Sequence, residues 1–284
     1  MLTSSGTFRT ALYGVLIGLA AGCAPAPAPP PAAPRLQAAE VVVNDTLVQY
    51  SLISALAAGD YSGGASLRKV LSEGDFGIGT FDRLDGELIL IDGRMYQALA
   101  DGRVRPADLE GRTPFAAVKF FREDGRIDSL SATTLEELDE QLERQLPRRN
   151  SPYALRIDGE FRELSLRSVP AQSPPFRTLV DVVKNQATWK HRGIRGTLIG
   201  LRCPSWIGTL NVSGYHWHFL SEDQQIGGHV LGCEFRNLSL RFDECTSVLI
   251  QLPTSEGFDE FRAEEIRKQD INDIERQRAE PGMR

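Results

Sequence analysis

Residues 41–61 read VVVNDTLVQYSLISALAAGDY. The β-branched start predicts a strand, and the apolar spacing of residues 47–58 predicts a short helix. Residues 75–81, DFGIGTF, are rich in turn formers. Residues 87–98 predict a hairpin turning at Asp92-Gly93. Residues 115–121 predict a further strand. Thr134 followed by Leu135, Glu136 and Glu137 marks a helix start, with a capping hydroxyl and acids in the first turn. That helix is expected to reach Leu146 and stop at Pro147. Residues 153–157 and 161–168 flank Asp158-Gly159, which predicts a second hairpin. Residues 176–186 predict a helix. From Gly193 the pattern turns to successive strands at 193–201, 208–212, 215–220, 229–236 and 237–252. A charged helical tail follows over 256–278. No internal repeat is visible.

The chain therefore divides near residues 170–175. The expected class is α/β of the α+β type. A mixed-sheet domain over 40–170 precedes a strand-rich, barrel-like domain over 171–284. The segment before residue 40 has another character. Arg9 precedes an uncharged apolar run over 11–21, about half the ~20 residues a spanning helix needs. That is the pattern of a secretory signal over 1–22. It closes on Leu19-Ala20-Ala21-Gly22-Cys23, which resembles a bacterial lipobox, although leucine is more usual where Ala20 stands. The expectation is export with a lipid anchor at Cys23, with simple cleavage as the alternative. Residues 23–39 include APAPAPPPAAP, a polyproline tether that builds no core.

Composition narrows the partners. The net charge is -6, with both signs interspersed. No basic patch with interleaved aromatics is present, so nucleic acid is not an expected partner. Apart from Cys23, the cysteines are Cys203, Cys233 and Cys245, which allow at most one disulfide within the chain. No pair has CxxC spacing, and buried thiols are the expectation.

The candidate chemistry lies in GYHWHFLSEDQQIGGHV, residues 214–230, which holds three of the four histidines. On a strand, His216 and His218 share one face and Tyr215, Trp217 and Phe219 the other. If the next apolar run returns antiparallel, His229 falls beside the pair. Three neutral imidazoles suit Zn²⁺ or another divalent cation and leave room for water or substrate. The competing reading is three polar residues on a solvated sheet face. His191, beside Lys190 and Arg192, reads as part of a solvated charge cluster.

With these residues in place, the sequence resembles bacterial α-acetolactate decarboxylases. SGYHWHFLSEDQQIGGHVL is similar to that family's SGYHLHF, polar loop and GGHV. Five more stretches match in order: GTFDRLDGEL (79–88), LPRRN (146–150), YALRIDG (153–159), RSVPAQ (167–172) and RGTLIG (195–200). The match extends from about residue 45 to the C-terminus. It breaks at Cys203-Pro204-Ser205-Trp206 and at the lipobox.

The resemblance implies a dimeric two-domain α/β fold whose metal site lies in the strand-rich domain. Carried over by motif, His216, His218 and His229 are the metal ligands. Glu87 and an arginine are expected beside them. The arginine is Arg167 of the RSVP stretch, with Arg156 as competitor. A second glutamate is expected in the tail. Asn272-Asp273-Ile274-Glu275 is the best match, with Glu264, Glu265 and Glu280 competing. Thr80 is expected to offer a hydroxyl to the substrate.

The implied substrate is a small 2-hydroxy-3-oxo acid, (S)-2-acetolactate, converted to (R)-acetoin and CO₂. The ketone beside the departing carboxylate takes up the electron pair, so no thiamine or pyridoxal is needed. Glu87 or Glu275 would deliver the proton. Read without the resemblance, Glu87 is equally a surface carboxylate near a turn, and Arg156 simply pairs with Asp158. A zinc hydrolase and a lipid-anchored metal-binding protein are the rival readings.

Overall fold

The computed structural model describes residues 45–263, 266–267, 270–271 and 274–275. The signal segment, Cys23, the tether and the competitors Glu264, Glu265 and Glu280 lie outside the described residues. No helix among the described residues is long and apolar enough to cross a membrane.

The first apolar run is strand β1 (Thr46–Tyr50), buried along its whole length. Residues pointing to either side of the sheet are buried, so both faces are covered and the run looks continuous rather than alternating. Ser51 turns the chain with a φ of 63°. Only then does helix α1 begin (Ile53–Ala58), six residues later than the spacing suggests.

β2 (Ala65–Ser66) leads into α2 (Leu67–Ser72), whose cap Ser66 accepts from the Lys69 amide. The turn-rich stretch is in fact strand β3 (Phe76–Thr80). Its glycines lie against β8, where the backbone at Ala117 and Phe115 leaves no room for a Cβ at Gly77 or Gly79. β4 (Glu87–Ile91) and β5 (Arg94–Ala98) form the expected hairpin, with Asp92 and Gly93 both at positive φ. β6 (Val104–Pro106), β7 (Arg112–Thr113) and β8 (Ala116–Lys119) follow, then β9 (Gly125–Ala132). Helix α3 (Leu135–Gln145) starts as predicted, with the Thr134 hydroxyl accepting from the Glu137 amide.

The second hairpin does not form. Residues 153–168 are a single strand, β10 (Tyr153–Ser168). The Asp158 carboxylate binds Arg156, Thr197 and Arg241 instead of its own backbone. The Leu238 side chain packs directly over Gly159. Turn chemistry is overridden here by tertiary contact.

The helix expected over 176–186 shrinks to α4 (Leu179–Val183). β11 (Ala187–Cys203) absorbs the first late strand. Residues 208–212 are not a strand; they follow a 3-10 turn over Ser205–Ile207. β12 (Gly214–Ser221) is as expected. β13 (Gly227–Glu244) runs unbroken across the expected junction at 236–237 and is followed by β14 (Ser247–Gln251). The tail contributes α5 (Glu256–Glu260), and residues 270–271 and 274–275 are helical as well.

Two sheets result. One has seven strands in the order β14-β1-β8-β3-β4-β5-β6. The other has the order β10-β11-β12-β13-β9, and β10 also pairs with β13. That extra pairing closes β10, β11, β12 and β13 into a small barrel, with β9 added on the β13 edge. The fold is mixed α/β and strand-rich, as the sequence suggested. The boundary at 170/171 does not coincide with sheet membership. β9 and β10, which precede it, belong to the barrel, whereas β14 runs parallel to β1 in the first sheet.

The barrel is filled by Leu155, Ile157, Phe161, Trp217, Phe219 and Phe235, with Leu138 and Leu142 of α3 packed against it. Each fully buried side chain of this size contributes roughly 2–3 kcal/mol. A second cluster joins the two sheets through Ile78 and Ile89 on one side and Ile199 and Leu220 on the other. Lys119 of β8 pairs with Asp243 of β13 across the same junction, both fully buried.

Candidate metal centre

β12 splits its residues as the alternation requires. Tyr215, Trp217 and Phe219 join the barrel core. His216 and His218 face away from it, towards β4 of the other sheet, and both are buried. β13 pairs antiparallel with β12 and places His229 opposite His218. On its other edge β13 places His229 opposite Arg167 of β10. Arg167, His229 and His218 thus form one row across three strands.

The imidazoles converge, with ring centroids 4.9–5.5 Å apart. Three ring nitrogens, one from each histidine, lie within 4.8 Å of one another. Hydrogen bonds fix which nitrogens are bare. His218 Nδ1 is 2.9 Å from the Leu88 carbonyl, which can only accept, so Nδ1 carries the proton. His229 Nε2 is 2.9 Å from the Glu275 main-chain carbonyl and carries its proton for the same reason. That leaves His218 Nε2 and His229 Nδ1 as electron-pair donors. His216 Nε2 lies 3.1 Å from His229 Nδ1 and completes the set.

Burial keeps all three rings neutral. It pushes the His216 pKa down to about 3, helped by the Arg167 charge. His218 and His229 are likewise held well below the usual imidazole value, chiefly by burial. Neutral histidine is the ligating form.

Two carboxylates border the cluster. Glu87 Oε2 is 3.5 Å from His218 Nε2. Glu275 Oε2 is 3.4 Å from His216 Nε2, 3.6 Å from His229 Nδ1 and 3.5 Å from Arg167 Nη2. Burial pushes the Glu87 pKa up to about 7; Arg167 opposes the rise and Glu275 adds to it. Burial raises Glu275 as well, against the pull of Arg167. Buried His218 Nε2 and Glu275 Oε2 have no hydrogen-bond partner among the described residues. Orphaned polar atoms of this kind are costly unless a ligand satisfies them. A divalent cation fits this donor set, since bare nitrogens and carboxylate oxygens surround one point.

Thr80 is buried at the edge of the same space, and its hydroxyl donates to the Gly86 carbonyl at 2.7 Å. Its proton thereby braces the residue before Glu87. Arg156 is elsewhere, paired with Asp92 and Asp158. Of the two candidate arginines, the structure brings Arg167 to the histidines. Lys190 and Arg192 pair with Glu163 as a charged surface group. His191 between them is partly buried, and its Nε2 has no hydrogen-bond partner among the described residues.

A small cavity of about 40 Å³ opens beside the histidines. Its polar floor is Thr80, Glu87, Arg167, His216, His229 and Glu275, and its wall is apolar: Ile53, Leu56, Leu84, Phe115, Val169 and Leu179. Neither the wall nor the Arg167 contact to Gln186 (Nη1 to Oε1, 3.1 Å) was foreseen. The sequence carries no signal for Gln186, and apolar positions read simply as core.

A family model described as alpha-acetolactate decarboxylase matches residues 47–265. The alpha-acetolactate decarboxylase of Raoultella terrigena is 40% identical over 215 residues, 76% of this chain and 83% of that one. The one from Methanosarcina mazei is 37% identical over 233 residues, 82% and 81% of the two chains. The crystal structure of alpha-acetolactate decarboxylase from Bacillus subtilis strain 168 superposes with a TM-score of 0.78 at 32% identity. It covers 82% of this chain and all of the other.

Proposed function

We infer the chemistry of this cavity from one premise: the chain belongs to the alpha-acetolactate decarboxylase family. It is a decarboxylase, and acetolactate decarboxylation is the activity that membership supports. The finer reading is a metal-assisted conversion of (S)-2-acetolactate to (R)-acetoin and CO₂. The observation that carries it is the convergence of three neutral histidines, with two carboxyl groups and one guanidinium beside them.

His216, His218 and His229 would hold the cation, with Zn²⁺ favoured by three nitrogen donors. Bound there, it supplies Lewis-acid stabilisation of negative charge on substrate oxygens. The protein's own groups do the rest. Arg167 presents its fork to the substrate carboxylate and sets its direction of departure. As the bond to the carboxylate breaks, its electron pair moves into the neighbouring ketone, giving an enediolate and CO₂. The former α-carbon then needs one proton, delivered to one face. Glu87 suits that step, because a carboxyl with a pKa near 7 keeps a share of its protons at neutral pH. Glu275 is the second candidate. The apolar wall around Leu56, Leu84 and Phe115 accepts the substrate's methyl groups and excludes water from the carbanion-like centre.

The test is metal analysis of the purified protein, with acetoin and CO₂ release measured before and after chelation. Stoichiometric metal, loss of turnover on chelation and recovery on adding Zn²⁺ are expected. Full turnover in metal-free protein would overturn the metal's part.

Export and lipid attachment at Cys23 are proposed on the sequence alone. A homodimer is proposed as well. Its support is the edge strand β14 with Leu249 half exposed and Leu252 exposed just beyond it, a surface of the kind a second copy covers. Light scattering on the purified protein tests it, with twice the monomer mass expected.

A further inference from the structure

Arg167 is buried, yet it makes few contacts for a guanidinium. Nη1 donates to Gln186 Oε1 at 3.1 Å, Nη2 stands 3.5 Å from Glu275 Oε2, and Nε has no partner among the described residues. Gln186 is therefore the one residue with a hydrogen bond of ordinary length to this side chain among the described residues. It is well placed to hold it. Gln186 lies just before β11, two residues from Thr188, the register partner of Arg167. Its own amide is tied back to the Val183 carbonyl at the end of α4 at 3.1 Å. Leu179 of α4 lines the cavity, so the strut springs from the cavity wall itself.

The choice of an amide has an electrostatic meaning. A carboxylate here would accept the same hydrogen bond but would also neutralise the guanidinium. The Gln186 carbonyl fixes the plane of the fork and adds no formal charge. The positive charge remains available to a bound anion in a low-dielectric site, where it counts most.

We propose that Gln186 is a positioning residue that orients Arg167 towards the substrate carboxylate while leaving its charge uncancelled. This rests on the decarboxylase reading above, and it predicts a binding defect rather than a chemical one. The carboxylate is present in the bound substrate and leaves during the reaction, so a misdirected fork costs affinity first.

The variants are Gln186→Met, which keeps the volume and removes the acceptor, and Gln186→Glu, which keeps the acceptor and adds a charge. The probe for equilibrium binding is 2-hydroxy-2-methylpropanoate, a 2-hydroxy acid that lacks the ketone and cannot react. Calorimetry on the metal-loaded protein should show affinity about 10-fold weaker in Q186M. Q186E should bind more weakly still, with a steeper dependence on ionic strength. KM for acetolactate should rise by a similar factor in Q186M, with kcat within about twofold and metal content unchanged. Probe affinity and KM equal to wild type in Q186M, when Arg167→Met abolishes probe binding, would overturn the inference. If the wild type binds the probe but does not decarboxylate acetolactate, the decarboxylase reading fails. The inference is then decided by probe affinity in Q186M alone.

Discussion

Two buried arginines show what separates a structural charge from a working one. Arg202, near the end of β11, uses its donors within the chain. Nε and Nη2 bind the two Glu143 oxygens at 2.9 and 3.0 Å, and Nη1 binds the carbonyls of Arg149 and Ser151 at 2.6 and 3.0 Å. Arg167, as buried on β10, has one such bond and an Nε unpartnered among the described residues. Both sit on barrel strands, and nothing in their local sequences sets them apart. The difference is that the chain closes around Arg202 and leaves a space beside Arg167. Unspent hydrogen-bonding capacity in a buried cation is costly to folding, and it is what a ligand can use.

Substitution at the two sites should separate cleanly. Arg167→Met should lower acetoin formation by about 10²–10³, the scale for losing one well-placed electrostatic contact, and leave the thermal midpoint nearly unchanged. A large fall in the midpoint would mean that Arg167 is structural after all. Arg202→Met should do the reverse. Two carbonyls and Glu143 lose their partner, and denaturant melts should show a loss of about 3 kcal/mol. The surviving folded protein should turn over normally. Loss of turnover in soluble, folded R202M would break the distinction.

Acid should act on the Arg167 side of the molecule. In the metal-free protein the three imidazoles are neutral when folded and titrate near 6.5 when unfolded, so unfolding takes up three protons as pH falls below that value. Their stabilisation is complete above the unfolded pKa and is lost as pH drops towards the folded values, about 3 for His216. Glu87 works in the opposite sense. Its folded pKa of about 7 exceeds its ordinary 4.5, so it gives up a proton on unfolding in the same window. Glu275 is raised too. The net uptake is one to two protons, a slope of roughly 1.4–2.7 kcal/mol per pH unit between about pH 5 and 6.5. Denaturant melts of metal-free protein across this range measure it. Glu87→Gln should steepen the slope by about 1.4 kcal/mol per unit. An unchanged slope in H216A/H218A/H229A would show that other groups are responsible.

The smallest effect concerns turnover against pH. If Glu87 is the donor, kcat should decline on the alkaline side as its carboxyl ionises. Glu87→Gln should be slow at every pH and lack that limb, whereas Glu275→Gln should retain it. The opposite pattern would move the proton to Glu275.

Much of the site was legible because its logic is local. The period of two on β12 put His216 and His218 on one face, and the loop length brought His229 back beside them. Arg167 and Arg156 could not be ranked so simply. They lie on one strand, and the register against β13 shifts between Ser165 and Leu166, so parity counted from either end misleads. Glu275 reaches the cluster across 46 positions from His229, a distance that no local pattern spans. The failed readings have a common cause. β1 resembles a helix because both of its faces are buried, and Asp158-Gly159 resembles a turn because its contacts to Thr197, Arg241 and Leu238 are invisible in the sequence.

The exchange of strands between the two sheets has a consequence for how the molecule comes into being. A chain cut at residue 170 would yield two pieces, each missing part of its architecture: the leading piece without β14, the trailing piece without β9 and β10. Neither should persist alone in solution, and mixing them should restore activity that neither possesses. During synthesis the opening layer must wait, with its β1 flank bare, until nearly the last strand emerges. Such late, long-distance pairing makes for slow maturation and leaves the β1 edge open to aggregation in the interval.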